Sequence, residues 1–363
     1  MARHSDSSFV VPKVSIEGIL TVPPTRITDP RLTRQVLTRD RVGQGIFQRC
    51  FNVVQYYIKE KEEDSGWLVA GWFKETLGRA LLEQPMICGR LRKTERNDGD
   101  LEIVSNDSGV RLIEATIQIN LSEFLDLKQR EEAEAQLVFW KDIDEQNPQF
   151  SPLFYVQVTN FECGGYSIGF SCSILLVDLL SRTKFLEIWA NIHNNFVNDN
   201  STERKLPLFH LPGLKSATGS SLDVIGAGTS DKTMIFKINS ESHNLEMEWC
   251  RRVALACVEE AEKKDLGSES EMGAEFCLFV NESFEAIKVE SCSKHGMFKA
   301  DMQVSYENWD GLGAKEVCFR EGNEPVRVSY WFRSISGGAV VLIPSQEQDQ
   351  DEYSVGIIVT IPN

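Results

Sequence analysis

Residues 150–190 read FSPLFYVQVTNFECGGYSIGFSCSILLVDLLSRTKFLEIWA. Across 153–159 apolar residues alternate, with Phe154, Val156 and Val158 on one face, and Tyr166–Ser173 follows a Gly164-Gly165 turn. That pattern predicts a β-hairpin, because strand side chains alternate and glycine permits a tight reversal. From Leu179 to about Phe196 the period changes. Phe185, Ile188, Trp189 and Ile192 fall at i, i+3, i+4 and i+7, the spacing of one helical face. A hairpin therefore feeds a helix through the short span from Ile174 to Asp178.

Toward the N-terminus, Phe73, Leu77, Ala80 and Leu81 predict a helix over Gly66–Glu83, and Cys88-Gly89-Arg90-Leu91 turns into a strand. Leu101–Val104 and 110–115 read as a strand pair across the turn Asn106-Asp107-Ser108-Gly109. Residues 205–232, with Pro207, Pro212 and many Gly and Ser, read as a linker. Beyond it come a strand at 234–238 and an acidic helix from about Ser240, with Leu245, Trp249, Val253 and Ala256 sharing a face. Strands follow at 275–280, 326–332, 339–343 and Tyr353–Ile361. This mixed order argues against a TIM barrel or a Rossmann domain, which require regular βαβα alternation. The expectation is an α/β protein of two mixed-sheet domains, 1–204 and 233–363, joined by the 205–232 linker.

The chain has 363 residues, 42% of them apolar and 25% charged, which suits a globular protein with two cores. Its formal charge is −16. Half of that lies in residues 241–290, with thirteen Asp/Glu against five Lys/Arg, whereas residues 1–50 carry +4. A net-acidic surface repels phosphate backbones, so nucleic acid is not an expected partner. No signal-like N-terminal stretch and no run of about 18 apolar residues is present, so a cytoplasmic chain with no membrane span is expected. The nine cysteines contain no C-x-x-C pair, which argues against a zinc ribbon or a thioredoxin-like motif.

The stretch 150–190 resembles the core of the plant BAHD acyltransferases, in which a Gly-Gly hairpin leads to a strand ending in His-x-x-x-Asp and then a helix. Cys163-Gly164-Gly165 matches the turn, Gly169-Phe170-Ser171 the strand, Asp178 the motif aspartate and Trp189-Ala190 the helix. Ile174 stands in the histidine position. Leu37-Thr38-Arg39-Asp40, Phe73-Lys74-Glu75-Thr76-Leu77 through Leu91, and Asn106–Ala115 resemble further family elements in the same order. The wording is most similar to the eceriferum/glossy cuticular-wax branch.

The resemblance implies two chloramphenicol-acetyltransferase-like domains, the second shortened. Cys318, Phe319, Arg320, Glu321 and Gly322 occupy the place of the family's Asp-Phe-Gly-Trp-Gly motif and keep only its Phe and Gly. Between Val280 and Met302 the chain is short, and the Asn-x-Arg strand that supplies the aspartate's arginine partner is missing there. The resemblance also implies an accessory factor for very-long-chain fatty-acid elongation. That role would place the chain on the endoplasmic-reticulum surface, partnered by an elongase condensing enzyme, as a monomer requiring no cofactor.

The chemistry agrees. Acyl transfer needs a base for the nucleophile's proton, and isoleucine has no titratable group; losing a general base costs roughly 10²–10⁴ in rate. No confident catalytic residue and no metal ligand set is assigned, and Asp178 is expected to be structural. Cys172 would share a strand face with Ile174 and could act as a nucleophile only with an activating base; a buried thiol is the expected fate. His4, His193, His210, His243 and His295 are expected to be solvated or hydrogen-bonded rather than catalytic. Glu259, Glu260 and Glu262 read as a solvated helix face. Gly226-Ala227-Gly228 is too isolated to cradle phosphate, and Asn281-Glu282-Ser283 is a glycosylation sequon without a secretory context. Two readings stay open beside the accessory factor. One is an active acyl-CoA-dependent O- or N-acyltransferase with a substituted mechanism and acyl-CoA as co-substrate. The other is a shortened chain whose second domain folds poorly.

Overall fold

The computed structural model describes residues 12–39, 43–61, 65–94, 100–181, 184–201, 232–240, 245–264, 273–294, 304–307, 317–333, 335, 337–345 and 353–362. Its strands are β1 (Ser15–Val22), β2 (Thr33–Thr38), β3 (Cys50–Tyr57), β4 (Arg90–Lys93), β5 (Leu101–Val104), β6 (Val110–Ile117), β7 (Phe154–Phe161) and β8 (Tyr166–Ser173). Then come β9 (Lys232–Ser240), β10 (Glu275–Asn281), β11 (Ala286–Ser293), β12 (Ser305–Glu307), β13 (Arg327–Phe332), β14 (Gly338–Ser345) and β15 (Tyr353–Ile361). The helices are α1 (Gly43–Gln48), α2 (Gly66–Glu83), α3 (Leu121–Leu125), α4 (Arg130–Glu134), α5 (Val177–Ser181), α6 (Phe185–Ser201) and α7 (Met247–Lys264).

The strands form two mixed sheets, ordered β1-β6-β7-β8-β3-β13 and β12-β9-β15-β14-β10-β11-β2-β5-β4. The expected α/β architecture is therefore present. The linker does not separate the sheets, however: β2, β4 and β5 join the nine-stranded sheet, and β13 crosses back to pair with β3. Residues 205–231 lie outside those described.

The β7–β8 hairpin forms as its alternation and Gly-Gly turn predict, with Gly164 at φ +86°. Both faces of β3, β7 and β8 are buried, so the polar side chains on them need partners. Gln157 donates to the Gln136 carbonyl and to Thr159 Oγ1, both at 2.9 Å. The Leu137 carbonyl crosses β8 where a Cβ at Gly169 would stand, so only glycine permits that approach.

The strand pair expected across Asn106–Gly109 does not form. β5 pairs with β2 and β4 in the larger sheet, whereas β6 pairs with β1 and β7 in the smaller. Its turn residues carry the chain from one sheet to the other instead. The helix expected from Leu179 is divided into α5 and α6, with Lys184 at φ +49° between them.

The acidic helix begins at Met247, later than expected, and its buried residues are Cys250, Val253, Ala254, Leu255, Cys257, Val258 and Ala261. Ala256 is only partly buried. Leu245 and Val253 are buried and Trp249 packs against the same core as predicted; the buried face is wider because Cys250 and Cys257 behave as small apolar residues.

Candidate functional site

β8 ends at Ser173, whose hydroxyl accepts from the Leu175 backbone N–H at 3.4 Å and caps a 3-10 turn over Ile174–Leu176. Ile174 therefore does not continue the strand face of Cys172; its N–H donates to the Arg49 carbonyl at 3.2 Å. Its side chain is 1% exposed and belongs to a core contiguous with Phe279, Val289 and Val341 of the larger sheet. The site is apolar at this point. Cys172 is enclosed, and burial, followed by the charge of Asp178, pushes its thiol well above the ordinary value of 9. A thiol held protonated in this way is a poor nucleophile.

Asp178, one turn further on, is 0% exposed. Its two oxygens accept from Arg34 Nη1 at 2.9 Å and Nη2 at 2.8 Å, in a bidentate pair. The same guanidinium donates to the Leu175 carbonyl (3.3 Å), Asn281 Oδ1 (3.2 Å) and the Ser283 carbonyl (3.2 Å). Removing two ions from water costs several kcal/mol each, which only such a surround offsets. This corrects the expected source of the arginine: it comes from β2, and Asn281-Glu282-Ser283 contributes only acceptors. Arg34 was missed because a single arginine in Thr-Arg-Gln-Val resembles a solvated strand position. Its place two residues before fully buried Val36, on the same face, was the available signal. Asn281 also donates to the Leu342 carbonyl at 3.1 Å, so the sequon amide is enclosed and engaged.

Cys318, Phe319, Arg320, Glu321 and Gly322 dock away from Ile174, against α2, α6 and β3. Asn194 donates to the Cys318 carbonyl at 2.7 Å, and Asn198 to Glu321 at 2.7 Å. Gly322, at φ +78°, turns the chain so that Asn323 reaches the Ile58 carbonyl at 2.9 Å. Phe319 is fully buried, its ring centroid 5.0 Å from Phe73, 4.9 Å from Trp189 and 6.0 Å from Phe170. Since Phe170 lies on β8, four residues before Ile174, one strand connects the two predicted motifs.

His193 borders the same aromatic cluster, with Phe73 at 5.0 Å, and its Nδ1 lies 3.1 Å from Thr76 Oγ1. It is buried rather than solvated, and burial, with the charge of Arg320, lowers its pKa to about 3. The folded state thus favours the neutral ring, while the unfolded histidine titrates near 6.5. Stability contributed here is present above pH 6.5 and falls as pH drops toward 3, at up to about 1.4 kcal/mol per pH unit. Denaturant midpoints measured between pH 7.5 and 5 should show the decline, and His193→Gln should flatten it.

The other four histidines and Gly226-Ala227-Gly228 lie outside the described residues. Glu260 pairs with Lys263 at 3.5 Å, and Glu262 with Lys294. No group of three metal-ligating side chains occurs among the described residues.

Residues 42–206 match the Transferase family model. Over that stretch the chain resembles the plant BAHD acyltransferases. It is similar to the Arabidopsis thaliana protein ECERIFERUM 26-like, 32% identical over 117 residues, covering 32% of this chain and 27% of that protein. A hydroxycinnamoyltransferase of Narcissus pseudonarcissus is 32% identical over 137 residues, 38% of this chain and 30% of its own. Brassinosteroid-related acyltransferase 1 of Arabidopsis thaliana is 40% identical over 111 residues, 29% and 23%. The chain thus matches less than a third of the length of each of these relatives. The Transferase-family match ends before the Cys318–Gly322 segment, and no described helix is long and apolar enough to cross a membrane.

Proposed function

We propose that this BAHD-family chain is catalytically degenerate and acts as an accessory factor in very-long-chain fatty-acid elongation for cuticular wax, beside an elongase condensing enzyme. One observation carries the reading: the position expected to hold the general base is a buried isoleucine in a continuous apolar core. Similarity to an ECERIFERUM protein supports the wax-related role. Among the described residues no neighbouring group stands ready to replace the base. Cys172 is a high-pKa thiol, His193 is engaged with Thr76, and Asp178 has both oxygens on Arg34. The assigned role for Asp178 is structural, and for Cys318–Gly322 that of a docking segment.

Co-expression with an elongase condensing enzyme should lengthen the acyl chains recovered by gas chromatography; an unchanged profile would sink the proposal. Ile174→His tests the catalytic side. A histidine placed in this core lacks a solvent path and a substrate, so free thiol released from acyl-CoA should stay at background with alcohol or amine acceptors. Release above background would favour an intact acyltransferase site.

A further inference from the structure

Away from Ile174, three donor-bearing side chains converge where β4 faces the start of β6 and β7. Arg90 is 4% exposed and carries a charge that no carboxylate meets among the described residues. Its Nη1 donates to the Cys88 and Gly89 carbonyls at 3.1 and 2.9 Å. Its Nη2 donates to the Ser108 and Gly109 carbonyls at 3.2 and 2.8 Å. That places the guanidinium against the backbone just ahead of Arg111. Arg111 is half-buried, and its side chain has no hydrogen-bond or ion-pair partner among the described residues.

Arg111 is the register partner of Tyr155 across the parallel β6–β7 pair, so the two side chains share a sheet face. Tyr155 is 3% exposed overall, but its hydroxyl is not enclosed and has no protein partner among the described residues, so it faces solvent beside Arg111. Its ring is held by Phe139 at 5.4 Å and Trp140 at 5.6 Å. The charges of Arg90 and Arg111 both reach the phenol, which burial nonetheless keeps protonated, with a pKa raised to about 12; it is a donor at neutral pH. The nearby carboxylates bond elsewhere: Asp107 accepts from Thr28 N and Oγ1 at 3.0 and 2.7 Å, and Asp142 Oδ1 accepts from Arg333 and Trp140, so neither forms an ion pair with Arg90 or Arg111.

Two guanidinium groups without an ion-pair partner among the described residues and a solvent-facing phenol thus present donors that an anionic acceptor would satisfy. We infer that Arg111 and Tyr155, backed by the charge of Arg90, form an oxyanion-binding site that takes the phosphate or carboxylate head group of a small ligand. Arg111 supplies the planar fork that suits either group, Tyr155 a single O–H donor, and Arg90 field without direct contact, its four Nη bonds being committed to carbonyls. The site is independent of the accessory role proposed above.

The test titrates the full chain with sodium phosphate and, separately, sodium acetate at constant ionic strength, followed by calorimetry and thermal shift. Saturable binding of either is expected. Arg111→Gln should weaken it about 10-fold or more, since a hydrogen bond to a charged group contributes about 1.5–3 kcal/mol. Tyr155→Phe should weaken it several-fold, and Arg92→Gln, on the exposed edge of β4, should leave it unchanged. Tighter phosphate binding assigns a phosphate-bearing ligand, and tighter acetate binding a carboxylate. If Arg111→Gln loses its thermal transition, Arg111→Lys keeps the charge without the fork and should bind several-fold more weakly than wild type. Equal binding by wild type and the Arg111 variant, or no saturable binding of either anion, overturns the site.

Discussion

Asp178→Ala should lower folding stability by about 3–5 kcal/mol, the range for removing one partner of a buried ion pair. The cause is less the lost attraction than what remains. Arg34 would keep its charge at zero exposure, with only the Leu175 and Ser283 carbonyls and the Asn281 amide to receive it. Those acceptors carry partial charges, so the field of a full anion is not replaced. Arg34→Met should cost a comparable amount by stranding the carboxylate. The double variant Arg34→Met/Asp178→Leu should be more stable than either single variant, because no unpaired ion remains. Denaturant midpoints for the four proteins give the coupling directly. Additive losses would mean that the two ions do not act as a pair.

Phe319→Ala should cost about 3–5 kcal/mol, the usual range for deleting a buried aromatic side chain. Phe319 touches α2 through Phe73, α6 through Trp189 and β8 through Phe170, so the cavity would open where three elements meet. Such a cavity closes poorly, since each wall is anchored elsewhere in the core. The loss should appear in thermal unfolding together with a red shift of Trp189 emission. Phe319→Leu, which refills most of the volume, should recover more than half. A loss below 1 kcal/mol would show that the segment is not held through this ring.

Much of this was legible in sequence where local pattern and tertiary demand agree. The β7–β8 hairpin, α2 and β15 each carry the period of their own geometry, and no distant partner had to be known. What failed was choice of partner. β5 and β6 are sound strands with a sound turn between them, but short apolar strands do not encode which neighbour they join, and these two join different sheets. Arg34 illustrates the same limit in the site. Its residue type says that it is charged, but only the fold shows that β2 is driven between Asp178 and Asn281. His193 could be read from sequence only as solvated or hydrogen-bonded, whereas α6 packs on α2 and encloses it beside Thr76. Around α7 Leu245, Trp249 and Val253 pack into or against the core as read, but Cys250 and Cys257 were not counted as apolar face-formers.

The exchange of strands across the linker makes the two halves of the chain non-autonomous. Cut between Ser201 and Lys232, the first fragment would carry β2, β4 and β5 without the sheet that receives them, and the second would carry β13 without β3. Neither should fold alone, because each would expose unpaired edges and half of a shared core. Mixed together, they should associate as an obligate heterodimer held by the β11–β2 and β3–β13 pairings. The two halves are pieces of one cooperative unit, and a change in either is felt by both.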